Sequence, residues 1–173
     1  MKVRLLVLGE SPPGLAESVA RGLPWPFTEG RVEPGGALAE RCYDRHRAQV
    51  DASRLVAALA TPPPGWTALG VTGLDLFMPP LAYVFGVSEL AGRRGVVSWA
   101  RLRPEVEESL PSPHLLQRLT VEAVHELGHS VGLLHCVVPE CAMHRSLFAE
   151  AVDLKLPEYC PACVDTLRAS LGA

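Results

Sequence analysis

The sequence contains neither isoleucine nor asparagine, and only two of its 16 basic residues are lysine. A lack of heat-labile amides together with 16 prolines is typical of thermophilic proteins. A GC-rich genome, which favours codons for arginine, alanine, glycine and proline, produces a similar bias. The composition therefore leaves both origins open.

Long apolar runs and a strong net charge are missing as well. No stretch approaches the length of about 18 apolar residues that a membrane-spanning helix needs. The formal net charge of −3 gives no indication of a nucleic-acid partner or of binding to an anionic membrane. The apolar run at residues 5–9 is too short for a secretory signal. We therefore expect a cytoplasmic protein without membrane or nucleic-acid partners.

The chain has the size and composition of a single globular domain: 173 residues, of which 48% are hydrophobic and 20% are charged. Short apolar runs alternate with residues at helical spacing, which predicts an α/β fold. We expect strands at 3–8, around Val32, and at 68–72, 81–87 and 96–100, with the run at 81–87 on an edge. We expect helices at 14–21, 113–131 and 161–168, and one long or two joined helices over 38–60.

The most informative stretch is HELGHSVGLLH, at residues 125–135. Residues four apart lie one above the other on a helix, so His125 and His129 can both direct a ring nitrogen at one zinc ion. Glu126 would lie beside the open coordination position. A carboxylate there can take a proton from water and pass it to a leaving amine, which is the role of a general base.

His135 can join this site only if the helix ends before it, because a continuing helix would carry it about 9 Å further along the axis. Gly132 tolerates the left-handed backbone that ends helices, so we expect the chain to reverse there. Three histidines leave one position of zinc for water and lower the pKa of that water toward about 7. The pattern predicts metal-assisted hydrolysis. A chance HExxH string on an amphipathic helix is the alternative, and Gly132 and His135 argue against it.

Four cysteines form a second set: Cys136 and Cys141 have C-x4-C spacing, and Cys160 and Cys163 have C-x2-C spacing. Four thiolates suit a structural zinc, whereas two disulfides would require an oxidising compartment. The missing export signal favours zinc. His135 and Cys136 are neighbours, so we expect two zinc ions per chain whose sites are mechanically coupled.

Together these motifs resemble the archaemetzincins: HELGHSVGLLHC is followed by a further cysteine, by Met143 two residues beyond it, and by a final C-x2-C. That resemblance implies a metzincin-type zinc peptidase with a mixed sheet, an antiparallel edge strand and packed helices. It also implies a zinc helix and a small C-terminal cysteine-zinc sub-domain. The catalytic ligands would be His125, His129 and His135, the base would be Glu126, and Met143 would lie beneath the site. The second zinc would bind to Cys136, Cys141, Cys160 and Cys163.

We therefore predict a zinc metallopeptidase that acts on a peptide or protein substrate. Its cleft would lie between an upper sub-domain, residues 1–132, and a lower, zinc-stapled sub-domain, residues 133–173. The alternatives are a non-catalytic peptide-binding or adaptor protein with a zincin fold, and a partner-docking role for the cysteine segment. Glu126 speaks against the non-catalytic alternative, because retaining a metal does not require this base.

Overall fold

The computed structural model of the protein describes residues 1–104 and 111–172. No helix within these two ranges combines the length and the apolar composition that a bilayer crossing requires. The strands are β1 (Lys2–Leu8), β2 (Glu29–Pro34), β3 (Tyr43–Asp44), β4 (Gln49–Asp51), β5 (Trp66–Thr72), β6 (Leu76–Met78), β7 (Leu81–Val84), β8 (Gly86–Ser88) and β9 (Arg94–Ser98). The helices are α1 (Leu15–Arg21), α2 (Leu38–Arg41), α3 (Ala52–Ala58), α4 (Pro113–Ser130), α5 (Ala149–Val152) and α6 (Pro161–Leu171).

A five-stranded sheet with the order β2-β1-β5-β9-β8 forms the centre of the fold. The first four of these strands run parallel, and β8 pairs antiparallel with β9 at one edge. The apolar run in β1 predicts this central position, because a parallel strand is buried on both faces. The mixed sheet with an antiparallel edge strand is thereby confirmed.

Helices cover both faces of this sheet. Successive side chains of a strand point to opposite faces, so Leu5 packs in one core and Leu6 in the other. The first core lies under α1 and α4, and the second lies under α3. The longest of these three helices, α4, is buried along most of its length and carries the HExxH motif.

The prediction of one long or two joined helices over residues 38–60 is wrong in its centre. Helices α2 and α3 are short, and the hairpin of β3 and β4 lies between them. An oxygen of Asp44 accepts hydrogen bonds from the backbone N–H groups of His46 and Arg47, at 2.9 and 3.2 Å. This side chain offers the backbone an alternative to the helix. Cys42 and Val50 are nevertheless buried in the second core, so their spacing fitted both structures.

The predicted edge strand at 81–87 is also interrupted. Strand β7 belongs to a second sheet with the order β3-β4-β6-β7, whereas β8 belongs to the central sheet. The chain changes sheets at Phe85, whose side chain is buried in the first core. Contacts with α4 explain the break, because a Cβ atom on Gly86 would lie only 2.5 Å from Cγ of Glu126. Gly86 was the one sign of it in the sequence of this run, since a glycine inside a strand often marks a bend or a close backbone approach.

Helix α4 has a defined start. Ser112 is its N-cap residue, and the Ser112 hydroxyl oxygen accepts a hydrogen bond from the backbone N–H of Leu115 at 3.2 Å. Pro113 follows in the first turn, where its missing N–H costs nothing. The predicted helix over 113–131 is therefore confirmed to within one residue.

Replacing the cap tests how much it contributes. We expect Ser112→Ala to lower the free energy of unfolding by about 1 kcal/mol, because the Leu115 N–H loses its acceptor. Ser112→Thr keeps a hydroxyl and should retain most of the stability. Denaturant unfolding of both variants is the measurement, and an alanine variant as stable as the parent would contradict this assignment.

Candidate active site

The three histidines of the motif meet at one point. The Nε2 atoms of His125 and His129 lie 3.1 Å apart, and those of His129 and His135 lie 3.3 Å apart. Zinc bound tetrahedrally at about 2.0–2.1 Å from each nitrogen would separate neighbouring nitrogens by about 3.3–3.4 Å. These two separations are close to the spacing that a single zinc ion requires, and all three ligand atoms lie within 4.8 Å of one another.

The backbone reverses at the predicted residue. Gly132 has a φ of +104°, in the left-handed region that favours glycine. The N–H of Gly132 donates to the carbonyl of His129 at 3.0 Å, and the N–H of Leu133 donates to the carbonyl of Gly128 at 2.9 Å. These two bonds form a Schellman motif. The motif ends α4 and returns His135 to the level of the other two imidazoles.

Backbone carbonyls fix the orientation of two rings. Nδ1 of His125 donates to the carbonyl of Ala142, and Nδ1 of His129 donates to the carbonyl of Leu133, both at 2.7 Å. Each bond leaves Nε2 as the free acceptor. Burial lowers the pKa of His125 well below its usual range, and it also lowers the pKa of His129 and His135. A lowered pKa favours the neutral ring, which is the form that binds a metal ion.

Glu126 is buried beside this cluster and is held by a hydrogen bond from β8. Oγ of Ser88 donates to Oε2 of Glu126 at 2.7 Å and lies 2.9 Å from its backbone oxygen. A Cβ atom on Gly95 would lie 2.2 Å from that hydroxyl, so a glycine there leaves room for it. Burial raises the pKa of Glu126 to about 8. The charge of a bound divalent cation would act in the opposite direction and favour the carboxylate.

Met143 and Tyr159 pack beneath α4. A Cβ atom on Gly128 would lie 2.3 Å from the sulfur of Met143, so this methionine occupies the space left by a glycine between the two histidines of the helix. The hydroxyl of Tyr159 donates to the carbonyl of Val124 at 2.7 Å. Both side chains are buried in the first core, where they support the helix that carries His125 and His129.

A buried ion pair links α4 to the loop around Met143. Lys155 is 1% exposed, and its Nζ lies 2.6 Å from Oε1 of Glu122 on α4. The same ammonium donates to the carbonyls of Ala142 and His144, at 3.4 and 3.2 Å. Burial raises the pKa of Glu122, and the charge of Lys155 opposes that change. Because Ala142 also accepts from His125, Lys155 helps to hold the carbonyl that orients a candidate ligand.

The four cysteines also come together. The Sγ atoms of Cys136 and Cys160 lie 3.7 Å apart, and those of Cys141 and Cys163 lie 3.8 Å apart. A tetrahedral ion with sulfur ligands at about 2.3 Å would separate its ligand atoms by about 3.8 Å, whereas a disulfide would need about 2.0 Å. The backbone N–H of Cys160 donates to Sγ of Cys141 at 3.3 Å. This geometry fits one structural zinc ion.

A cleft of about 580 Å³ opens onto the histidines. One wall consists of β7 and β8, and the other consists of the segment that follows Met143. The hydroxyl of Tyr83 on the first wall donates to the carbonyl of Leu147 on the second, at 2.8 Å. The lining residues with polar or charged side chains that matter for chemistry are Ser88, Glu122, His125, Glu126, His129, His135, Arg145 and Ser146.

The sequence predicted the histidines, the cysteines and Glu126 as the candidate site, and the fold brings each set together. It gave no role to Ser88, Glu122 or Lys155. One signal for Lys155 did exist, because lysine is rare in this arginine-rich chain and this one interrupts a largely apolar stretch at 152–156. Ser88 offered no comparable signal, since its partner lies 38 residues away.

Known proteins resemble this chain in sequence and in structure. Residues 36–169 match the model of peptidase family M54. An archaemetzincin of Methanocaldococcus jannaschii is 39% identical over 127 residues, which cover 73% of this chain and 70% of that protein. An archaemetzincin of Archaeoglobus fulgidus is 35% identical over 153 residues, or 88% and 90% of the two chains. The crystal structure of the Methanopyrus kandleri archaemetzincin has a TM-score of 0.86 at 32% identity and covers 100% of this chain and 96% of its own.

The buried pair can be tested by removing it in two steps. Lys155→Met leaves the Glu122 carboxyl buried without its partner, so we expect a loss of about 3–5 kcal/mol in the free energy of unfolding. Adding Glu122→Leu removes the orphaned group and should recover most of that loss. Denaturant unfolding of the single and double variants is the measurement. A double variant as unstable as the sum of its two single variants would show that the two side chains do not act as a pair.

Proposed function

We propose, since this chain belongs to peptidase family M54 and is a zinc metallopeptidase, that His125, His129 and His135 hold its catalytic zinc and that Glu126 is the general base. The observation that carries the proposal is the separation of the imidazole Nε2 atoms, 3.1 and 3.3 Å, which matches the edges of a tetrahedral zinc site. The lowered pKa of the three rings and the orientation of two of them by carbonyls support the same role.

Zinc, when bound, supplies a Lewis acid that polarises a carbonyl oxygen and makes a nucleophile available from water at neutral pH. The protein supplies the proton transfers. Glu126 follows His125 on α4 and lines the cleft, so its carboxylate can accept a proton there and deliver it to the leaving amine. Oγ of Ser88 donates to Oε2 at 2.7 Å, which keeps the carboxylate in one orientation.

We assign the binding of the peptide backbone to β8. This strand is the last in the central sheet, so its outer edge has no partner strand among the described residues, and Gly86, Val87 and Ser88 line the cleft. An extended peptide can add to such an edge by main-chain hydrogen bonds. The close packing of Gly86 on Glu126 would bring the bound backbone next to the general base.

We propose a second, structural zinc bound by Cys136, Cys141, Cys160 and Cys163, which makes two zinc ions per chain. The Sγ separations of 3.7 and 3.8 Å support this assignment. The N–H of Cys136 also donates to the carbonyl of Met143 at 2.9 Å, so the cysteine cluster and the loop beneath the histidines share a backbone connection. Cysteines that bind zinc instead of pairing as disulfides agree with a reducing compartment such as the cytoplasm.

We also propose the division into two sub-domains between residues 132 and 133. Residues up to Gly132 contribute both sheets, α4 and Glu126, and those after it contribute His135 and the cysteine cluster. We propose that the substrate lies between these two sub-domains, with β8 above and residues 145–147 below. Peptide and protein substrates fit a cleft of this kind.

Removing the carboxylate of Glu126 tests the proposed reaction. We expect Glu126→Ala to lower the rate of hydrolysis of a mixed peptide library by about 100-fold or more, because the variant lacks the carboxylate that accepts the proton. Glu17→Ala, which removes an exposed glutamate of α1, is the matched control and should cleave normally. Both proteins are loaded with zinc, and the zinc content of each is measured. Full activity in Glu126→Ala, or no cleavage by the unmodified protein, would contradict the proposal and favour a binding protein.

Removing one cysteine tests the coupling between the two clusters. We expect Cys136→Ser to lower the retention of both zinc ions during dialysis against a chelator, because the cysteine cluster anchors the segment that delivers His135. The control is Cys42→Ser, which removes a buried thiol in the second core, outside both clusters. Zinc per chain is measured by elemental analysis. Full zinc occupancy of the histidine site in Cys136→Ser would show that the sites are independent.

A further inference from the structure

Arg145 presents a cationic group to the cleft. It lies two residues after Met143, is exposed, and lines the same cavity as the three histidines and Glu126. A substrate bound at the histidines would therefore lie in the same cavity as this guanidinium.

The backbone that carries Arg145 is held on both sides. The carbonyl of His144 accepts a hydrogen bond from Nζ of Lys155 at 3.2 Å. The carbonyl of Leu147 accepts a hydrogen bond from the hydroxyl of Tyr83 at 2.8 Å. The position from which the Arg145 side chain extends is thus defined by two separate parts of the fold, as expected of a residue that recognises a ligand group at one place.

The charges that line the cleft favour an anionic ligand group. Glu122 is buried and paired with Lys155, and Glu126 is buried against Ser88. Over residues 1–104 and 111–172, the ion pairs that form do not include Arg145. Arg145 is therefore the exposed, uncompensated charge of this cleft within the described part of the chain.

The neighbouring surface is largely apolar, with Met78, Leu81, Val84, Phe85 and Leu147 among the lining residues. The planar guanidinium can bind both oxygens of a carboxylate at once. A basic substrate group would meet Arg145 as a like charge and would find Glu122 already neutralised.

We propose that Arg145 binds a carboxylate of the peptide substrate, so that this peptidase prefers substrates with an acidic side chain or a free C-terminal carboxyl group placed near it. The inference rests on the proposed function, because it assumes that the peptide lies in the cleft at the histidines. It adds the substrate class that the same cleft selects.

The test measures binding without turnover. Zinc-loaded Glu126→Gln protein is titrated with a set of fluorescent peptides that share one apolar sequence. In one arm, aspartate replaces alanine at each position in turn, with the C-terminus amidated. In the other arm, the alanine peptide carries either a free or an amidated C-terminus. We expect one aspartate position or the free C-terminus to lower Kd by about tenfold, as a charge-assisted hydrogen bond would. The two arms distinguish the two sources of the carboxylate.

Variants of Arg145 then assign the preference to this residue. Adding Arg145→Ala to the Glu126→Gln protein should abolish the preference for carboxylate peptides, and adding Arg145→Lys should retain part of that preference. Arg168→Ala, which removes an exposed arginine of α6 outside the cleft, should leave it unchanged. Equal binding of carboxylate and neutral peptides, a preference that survives Arg145→Ala, or no binding of any peptide would overturn the inference. Failure of the proposed function is a separate result, since it is read from hydrolysis by the unmodified protein.

Discussion

Gly132 has a left-handed backbone with a φ of +104°, and the position of every candidate ligand after it depends on that conformation. A side chain at this residue would crowd the following carbonyl and cost about 1–2 kcal/mol. The turn has three consequences. It ends α4 after His129, it presents the carbonyl of Leu133 to Nδ1 of His129, and it returns the chain so that His135 meets the other two imidazoles.

The loop of residues 141–144 supports both clusters from one side. Its first residue, Cys141, belongs to the cysteine cluster. Its second, Ala142, accepts from His125, and its third, Met143, packs on Gly128 and accepts from the N–H of Cys136. Lys155 reaches this loop from below. A buried ion pair is weak evidence for added stability in general, so here its value lies in fixing the position of the loop relative to α4.

Local patterns explain which parts of this fold the sequence could predict. The apolar run of β1, the length of α4 and the glycine that ends it all depend on residues within a few positions of each other. The helix prediction for residues 38–60 was wrong because the spacing of Cys42 and Val50 suits a helix and a hairpin alike. The turn at Asp44 decides between the two structures. The prediction of an uninterrupted strand at 81–87 was wrong because the break at Phe85 depends on packing against α4.

The candidate site likewise has residues that local spacing could predict and residues that it could not. Spacing alone identified the histidines, the cysteines and Glu126, since metal ligands on a helix and its following turn must recur at fixed intervals. The side chains that hold them come from distant parts of the chain: Ser88 is 38 residues from Glu126, and Lys155 is 33 residues from Glu122. Arg145 is exposed and has no periodic context. Only the folded structure shows that it shares a cleft with the histidines.

The most direct test of this account is a crystal structure of the zinc-loaded protein, with anomalous diffraction recorded on both sides of the zinc absorption edge. The account predicts an anomalous peak at about 2.0–2.1 Å from Nε2 of each of His125, His129 and His135. A peak bound by only two of these rings, with His135 directed into solvent, would contradict it.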